Sequence, residues 1–138
     1  MKKALFLATL LASLAFAHEV IVQNAWVRLL PGKTTSAYMT LTNPAAKEPL
    51  KIVGASSPVA AKVSFHSTGA MSGNDMTTMK PLASVTVPPK GKLEFKPGGM
   101  HLMLEGLKAP LKEGQQVKIV LKYSDGDTQT LTLTVKNR

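Results

Sequence analysis

From Val20 to Lys136 the chain is cut into short runs by turn-forming residues: Pro31-Gly32, Asn43-Pro44, Pro58, Pro88-Pro89, Pro97-Gly98-Gly99 and Asp125-Gly126. Proline lacks a backbone donor and clashes with the preceding helical turn, so no helix runs through these points. The segments between them are rich in valine, isoleucine, threonine and aromatic residues, which suit a pleated surface. They predict strands over 20–30, 36–43, 50–57, 59–67, 82–87, 92–96 and 99–105. The stretch 116–136 predicts a hairpin turning at Asp125-Gly126, one arm alternating Val117, Ile119 and Leu121 and the other Leu131, Leu133 and Val135 with polar residues. This pattern predicts an all-β antiparallel sandwich or small Greek-key barrel, with no internal repeat and no convincing helix. Residues 68–80, "TGAMSGNDMTTMK", lack alternation and read as a flexible loop holding Met71, Met76 and Met79.

The chain begins with a positive Met1-Lys2-Lys3, an apolar run over 4–16 and the small-x-small triplet Ala15-Phe16-Ala17. That is the layout of a cleavable export signal over residues 1–17, leaving 18–138 as one β domain. The apolar run is short for a membrane span. No cysteine follows it, which argues against a lipid anchor at the mature end. Of the formal net charge of +9, Lys2 and Lys3 would leave with the signal. The remaining lysines are scattered singly, which gives a basic, solvated surface and favours encounter with acidic partners. Export speaks against nucleic acid as the partner. The absence of cysteine removes thiolate chemistry, zinc-finger sites and the thiolate ligand of blue-copper centres.

The segment "GGMHLMLEG" at 98–106 is an odd strand. If Met100, Leu102 and Leu104 face the core, His101, Met103 and Glu105 share the outward face. His101 and Met103 then lie about 6.5 Å apart along the backbone, close enough to converge on one atom. In "KVSFHS" the same alternation puts His66 on the polar face with Lys62 and Ser64, opposite Val63 and Phe65. The loop at 68–80 can bring Met71, Met76 or Met79 over the same point. Methionine is ordinary core filler, and Met39 and Met100 read as such. A methionine sharing a polar strand face with a histidine, beside a methionine-rich loop, reads instead as a soft metal site. Thioether sulfur favours Cu(I) and does little for zinc, magnesium or calcium, and imidazole suits copper in both oxidation states. Two histidines and two methionines are neutral, so a bound ion keeps a charge of +1 and is cheaper to half-bury than a divalent one.

The order His66, Met79, then twenty-one residues to His101-x-Met103 resembles the copper-binding signature of the periplasmic copper chaperones called PCu(A)C. The resemblance extends through "AWVRLLPGKTTSAYMTLTN", "KLEFKPGGMHLMLEGL" and "LKEGQQVKIVLKY". It implies a cupredoxin-like fold and Cu(I) held by His66, Met79, His101 and Met103; the export signal predicts the periplasm, and a monomer is expected there. The resemblance also implies delivery to the binuclear copper centre of cytochrome c oxidase subunit II, with a thiol-reductant assembly protein as a possible further partner.

His18 would begin the mature chain, where a free amine and its own imidazole can chelate Cu(II). A copper-resistance carrier of the CopC type is therefore the alternative reading, and a metal-free secreted interaction module is the rival from another class. Enzymatic readings are weak. No Ser-His-Asp arrangement can be placed, and a Cu(I) with four protein ligands has no position open for substrate.

Overall fold

A computed structural model describes residues 19–70 and 77–138, with the side chains of 68–70 and 77–79 outside that description. Among the described residues there is no helix. The strands are β1 (Ile21–Arg28), β2 (Thr34–Thr42), β3 (Leu50–Ser56), β4 (Ala60–Ala70), β5 (Thr77–Leu82), β6 (Val85–Val87), β7 (Lys92–Phe95), β8 (His101–Leu107), β9 (Gln116–Tyr123) and β10 (Thr128–Lys136). Neighbours run in the order β5-β4-β8-β2-β1-β10-β9-β3-β6, and a further β4–β3 pairing at Ala55–Val63 closes seven of them into a barrel. β5 and β6 extend the sheet beyond this ring, and β7 pairs with β2. The pairs are antiparallel except β1 with β10, which run parallel.

The barrel fills by simple alternation. Ala37, Met39 and Leu41 of β2, Val117, Ile119 and Leu121 of β9, and Leu133 and Val135 of β10 are at most 1 % exposed. Each large aliphatic side chain buried this way stabilises the fold by about 1.5–3 kcal/mol. The hairpin predicted at 116–136 forms, with Leu131 opposite Ile119 and Leu133 opposite Val117. Gly126 takes φ +97° at its turn, a conformation that costs glycine nothing.

Strand β1 departs from plain alternation. Its register against β2 shifts between Gln23 and Trp26, and Asn24 adopts φ +55°. This is a β-bulge, and its extra residue reverses the facing of everything after it. Val22 packs on the core before the bulge, and Ala25 and Val27 do so after it. Trp26 is thereby turned to the outside of the barrel.

Residues 68–80 were predicted as a loop, and this needs correction. Residues 68–70 continue β4, and 77–80 begin β5, which pairs with β4 from Ala70–Thr77 to Phe65–Leu82. Short polar edge strands need no apolar alternation, because neither face has to be buried against a core. Pro81 is tolerated there because an edge strand has one unpaired side.

Candidate metal centre

Strands β4 and β8 lie side by side and antiparallel, with Phe65 opposite Leu102 and Val63 opposite Leu104. Those four side chains face the barrel interior. The residues between them, Ser64, His66, His101 and Met103, therefore share the outer face, His66 directly opposite His101 and Ser64 opposite Met103. The two imidazoles stack with centroids 5.7 Å apart and planes 15° off parallel. Met103 also stands opposite Ser36 of β2.

Alternation identified the face, but the expected exposure is not found. His101 is 6 % exposed and Met103 9 %, so both are buried. His66 is half-buried. Their face is the outer surface of the barrel wall, where His101 and Met103 are shut off from water while Lys62 stays exposed. Met100, expected in the core, is half-buried and packs against it. Met39 is in the core as expected.

The hydrogen bonds define which lone pairs this buried patch offers. His101 Nδ1 lies 3.1 Å from the Gly99 carbonyl. A carbonyl only accepts, so Nδ1 carries the proton and Nε2 the lone pair. His101 Nε2 is buried and has no partner. His66 Nε2 lies 2.9 Å from the Ser64 hydroxyl, and His66 Nδ1 is buried without a partner. Elsewhere among the described residues one buried side-chain polar atom lacks a hydrogen-bond partner, Arg28 Nε, a donor with no lone pair to offer a metal. Asn43, fully buried, donates to the Glu48 and Val87 carbonyls at 2.7 and 3.1 Å and accepts from the Ala45 amide at 2.9 Å. Leaving a buried polar atom unpaired costs about 1–3 kcal/mol. Two such nitrogens on stacked, paired histidines are a donor set waiting for an acceptor. A backbone carbonyl on the far ring nitrogen, as at His101, is the usual support of a metal-ligating imidazole.

The electrostatics agree. Burial, with help from His101 and Lys62, holds the His66 imidazole below its ordinary pKa, while Glu105 pulls the other way. A lowered pKa keeps the ring neutral and its lone pair available. Among the described residues, no three His, Cys, Asp or Glu side chains converge as a metal-binding group. The donor set is thus two imidazoles beside a thioether, which fits a soft monovalent ion and does not suit a hard divalent one.

Met79 lies on β5 opposite Thr68, two residues before Pro81, the backbone partner of His66. Met71, Met76 and His18 lie outside the described residues, as does the expected export signal at 1–17.

Sequence reasoning missed two neighbours of the site. Ser64 was placed on the right face but not as the partner of His66; its i−2 position on the same strand face was the available signal. The second is an aromatic–cation stack on the same outer surface. Trp26 and Tyr38 pair across β1 and β2 with ring centroids 4.9 Å apart. The Arg28 guanidinium lies 5.7 and 5.4 Å from the two rings, and that of Arg138 lies 4.4 Å from Trp26. Its signal was the Asn24 bulge, which strand propensity does not reveal.

The family model LpqE-like, a lipoprotein family by its description, matches residues 20–135. A protein of Leifsonia xyli subsp. xyli (strain CTCB07) named as a lipoprotein, Lxx21020, is 34 % identical over 121 residues, covering 88 % of this chain and 72 % of that protein. Among solved structures, CuI-DR1885 from Deinococcus radiodurans is similar with a TM-score of 0.70 and 42 % identity, over 91 % of this chain and 84 % of that one. The copper-bound PCuAC domain from PmoF2 is similar with a TM-score of 0.69 and 20 % identity, over 88 % and 95 % of the two chains. The last likeness is one of fold, and it bears out the cupredoxin-like architecture.

Proposed function

The chain belongs to the LpqE-like family, and on that premise we propose that it is an exported copper carrier that binds one Cu(I) and hands it to a partner protein. The observation that carries this reading is the pair of buried, partnerless ring nitrogens on His66 and His101 beside Met103. The relative from Deinococcus radiodurans, described with Cu(I), supports the choice of ion. The ligands are His66, His101 and Met103, with Met79 as the fourth. Export to the periplasm is supported by the leader-like start of the sequence and by the lipoprotein names of the family and the relative.

Copper is cargo here, and the protein's own groups do the work. The Gly99 carbonyl and the Ser64 hydroxyl orient the two rings, and the dry face keeps water from competing for the ion. All ligands are neutral, so release to an acceptor leaves no buried ionic charge behind. Lys62 and Lys80 are exposed around the site and steer an acidic docking face towards it. The binuclear copper centre of cytochrome c oxidase subunit II is the acceptor proposed, with a thiol reductant assembly protein keeping copper monovalent. This is transfer between proteins and not turnover of a substrate.

X-ray absorption on the Cu(I)-loaded protein tests the site. The expected spectrum contains both nitrogen and sulfur scatterers at one copper per chain. Absence of the sulfur signal would remove the methionines from the ligand set. Mixing the loaded protein with an apo oxidase copper domain should move the metal, more slowly as salt rises.

A further inference from the structure

At the other end of β8 from the histidines, the structure assigns a second binding site, and we propose that it takes a free alkyl carboxylate, one monomeric amphiphile with an apolar tail and an anionic head. Leu107 is six residues along the strand from His101, about 20 Å at the rise of a β-strand. There the β1–β2 and β8–β9 connections enclose a cavity of about 630 Å³. That size is typical of small-molecule pockets. Its apolar wall is made by Leu29, Leu30, Leu107 and Leu111. Leu30 is 41 % exposed at the rim.

The cavity is preformed. Pro31 and Pro110 line it and fix the backbone of both connections. Three main-chain bonds tie these segments to the barrel: Leu29 N to Lys136 O at 2.9 Å, Leu107 N to Lys33 O at 3.0 Å, and Lys108 N to Val59 O at 3.0 Å. Little ordering is therefore left for a ligand to drive.

Charge selects the class of ligand. The polar side chains lining the cavity are Lys33, Lys108 and Asn137, two cations and an amide, with no acid among them. Glu113, the nearest acid in sequence to Leu111, is exposed and does not line the cavity. Both lysines are exposed, so their ammonium groups can meet an anionic head while hydrocarbon fills the wall. A hollow with a single projecting leucine suits one free tail better than a bilayer surface, which needs several apolar side chains standing outward. The site stands apart from the copper reading and does not depend on it.

The test is amide NMR on the protein titrated with decanoate, decanol and decyltrimethylammonium, each below its micellar concentration. Decanoate should give saturable one-to-one shifts confined to Leu29–Lys33 and Leu107–Leu111, and bind more tightly than the other two. The Lys33→Gln/Lys108→Gln double variant should weaken decanoate about tenfold and leave decanol unchanged. Both lysines are exposed, so the variant's remaining spectrum should overlay that of the parent. Shifts that never saturate, equal affinity for the cationic amphiphile, or shifts centred on His66 and His101 would each overturn the assignment. Binding of phosphatidylglycerol vesicles through these residues, without binding of free decanoate, would overturn it as well.

Discussion

Strands β4 and β8 both bury side chains on each of their two faces, and the two faces are chemically opposite. Inside the barrel, Val63, Phe65, Leu102 and Leu104 are at most 8 % exposed, and their neighbours are hydrocarbon. Outside, His101 and Met103 are 6 % and 9 % exposed, yet the two histidines leave buried ring nitrogens without partners. The inner face gains stability from burial, and the outer face loses some of it to unpaired polar atoms. Dryness alone therefore does not mark a site. A lone pair left unused in dry surroundings does, because folding has already borne the desolvation that a ligand would otherwise have to overcome.

Substitutions on the two faces should separate stability from metal binding. Leu102→Ala removes buried hydrocarbon and should destabilise the apo protein by about 2–5 kcal/mol in urea unfolding. The fraction that remains folded should still bind copper. A loss below 1 kcal/mol, on the same scale, would mean that the inner face collapses around the gap. Met103→Leu should do the reverse. It conserves volume and should cost less than about 1.5 kcal/mol of stability. Its Cu(I) affinity against a competing chelator should fall by more than about 100-fold, beyond the range for losing an outer-sphere partner. Unchanged affinity would return Met103 to the class of packing residues and dissolve the contrast between the faces.

Ser64→Ala sharpens the comparison further. It removes the hydroxyl 2.9 Å from His66 Nε2 and leaves the proposed ligands and the inner face in place. The expected effect is about 10–100-fold weaker Cu(I) binding with little change in melting temperature. The smallest effect should come from acid. The folded pKa of His66 is depressed, so the unfolded chain binds the proton more readily. Its contribution to stability is complete above the unfolded value of about 6.5 and declines as pH falls towards the folded value. The urea midpoint of the apo protein should drop on acidification across this window. In His66→Gln that part of the drop should vanish; an identical slope in the variant would assign the acid sensitivity to other groups.

Local chemistry made much of this legible in advance. Asp125-Gly126 announced its hairpin, and the inward residues of β2, β9 and β10 could be read from alternation. His66 was placed on the polar face of its strand, and His101 with Met103 on that of theirs, for the same reason. Their burial was not legible, because it depends on which strands become neighbours, and pairing between residues 66 and 101 is not a local property. The extension of β4 through 68–70 and the start of β5 at 77–80 were missed on similar grounds: an edge strand is held by its partner's backbone and needs no apolar period of its own. The tautomer of His101 depended on the Gly99 carbonyl, which no side-chain pattern encodes.

The Asn24 bulge means that β1 records its orientation as a count. Between Gln23 and Trp26 the strand holds one residue more than its partner requires. Removing that one extra position would restore plain alternation, with Trp26 still outside and the two arginines still on their aromatic seat. Removing two would exchange the places of Trp26 and Val27 and send an indole into the barrel. Across related sequences, a segment shorter by one should therefore lose the bulge and keep the facing, and one shorter by two should appear only together with a swap of large and small residues at the two following positions.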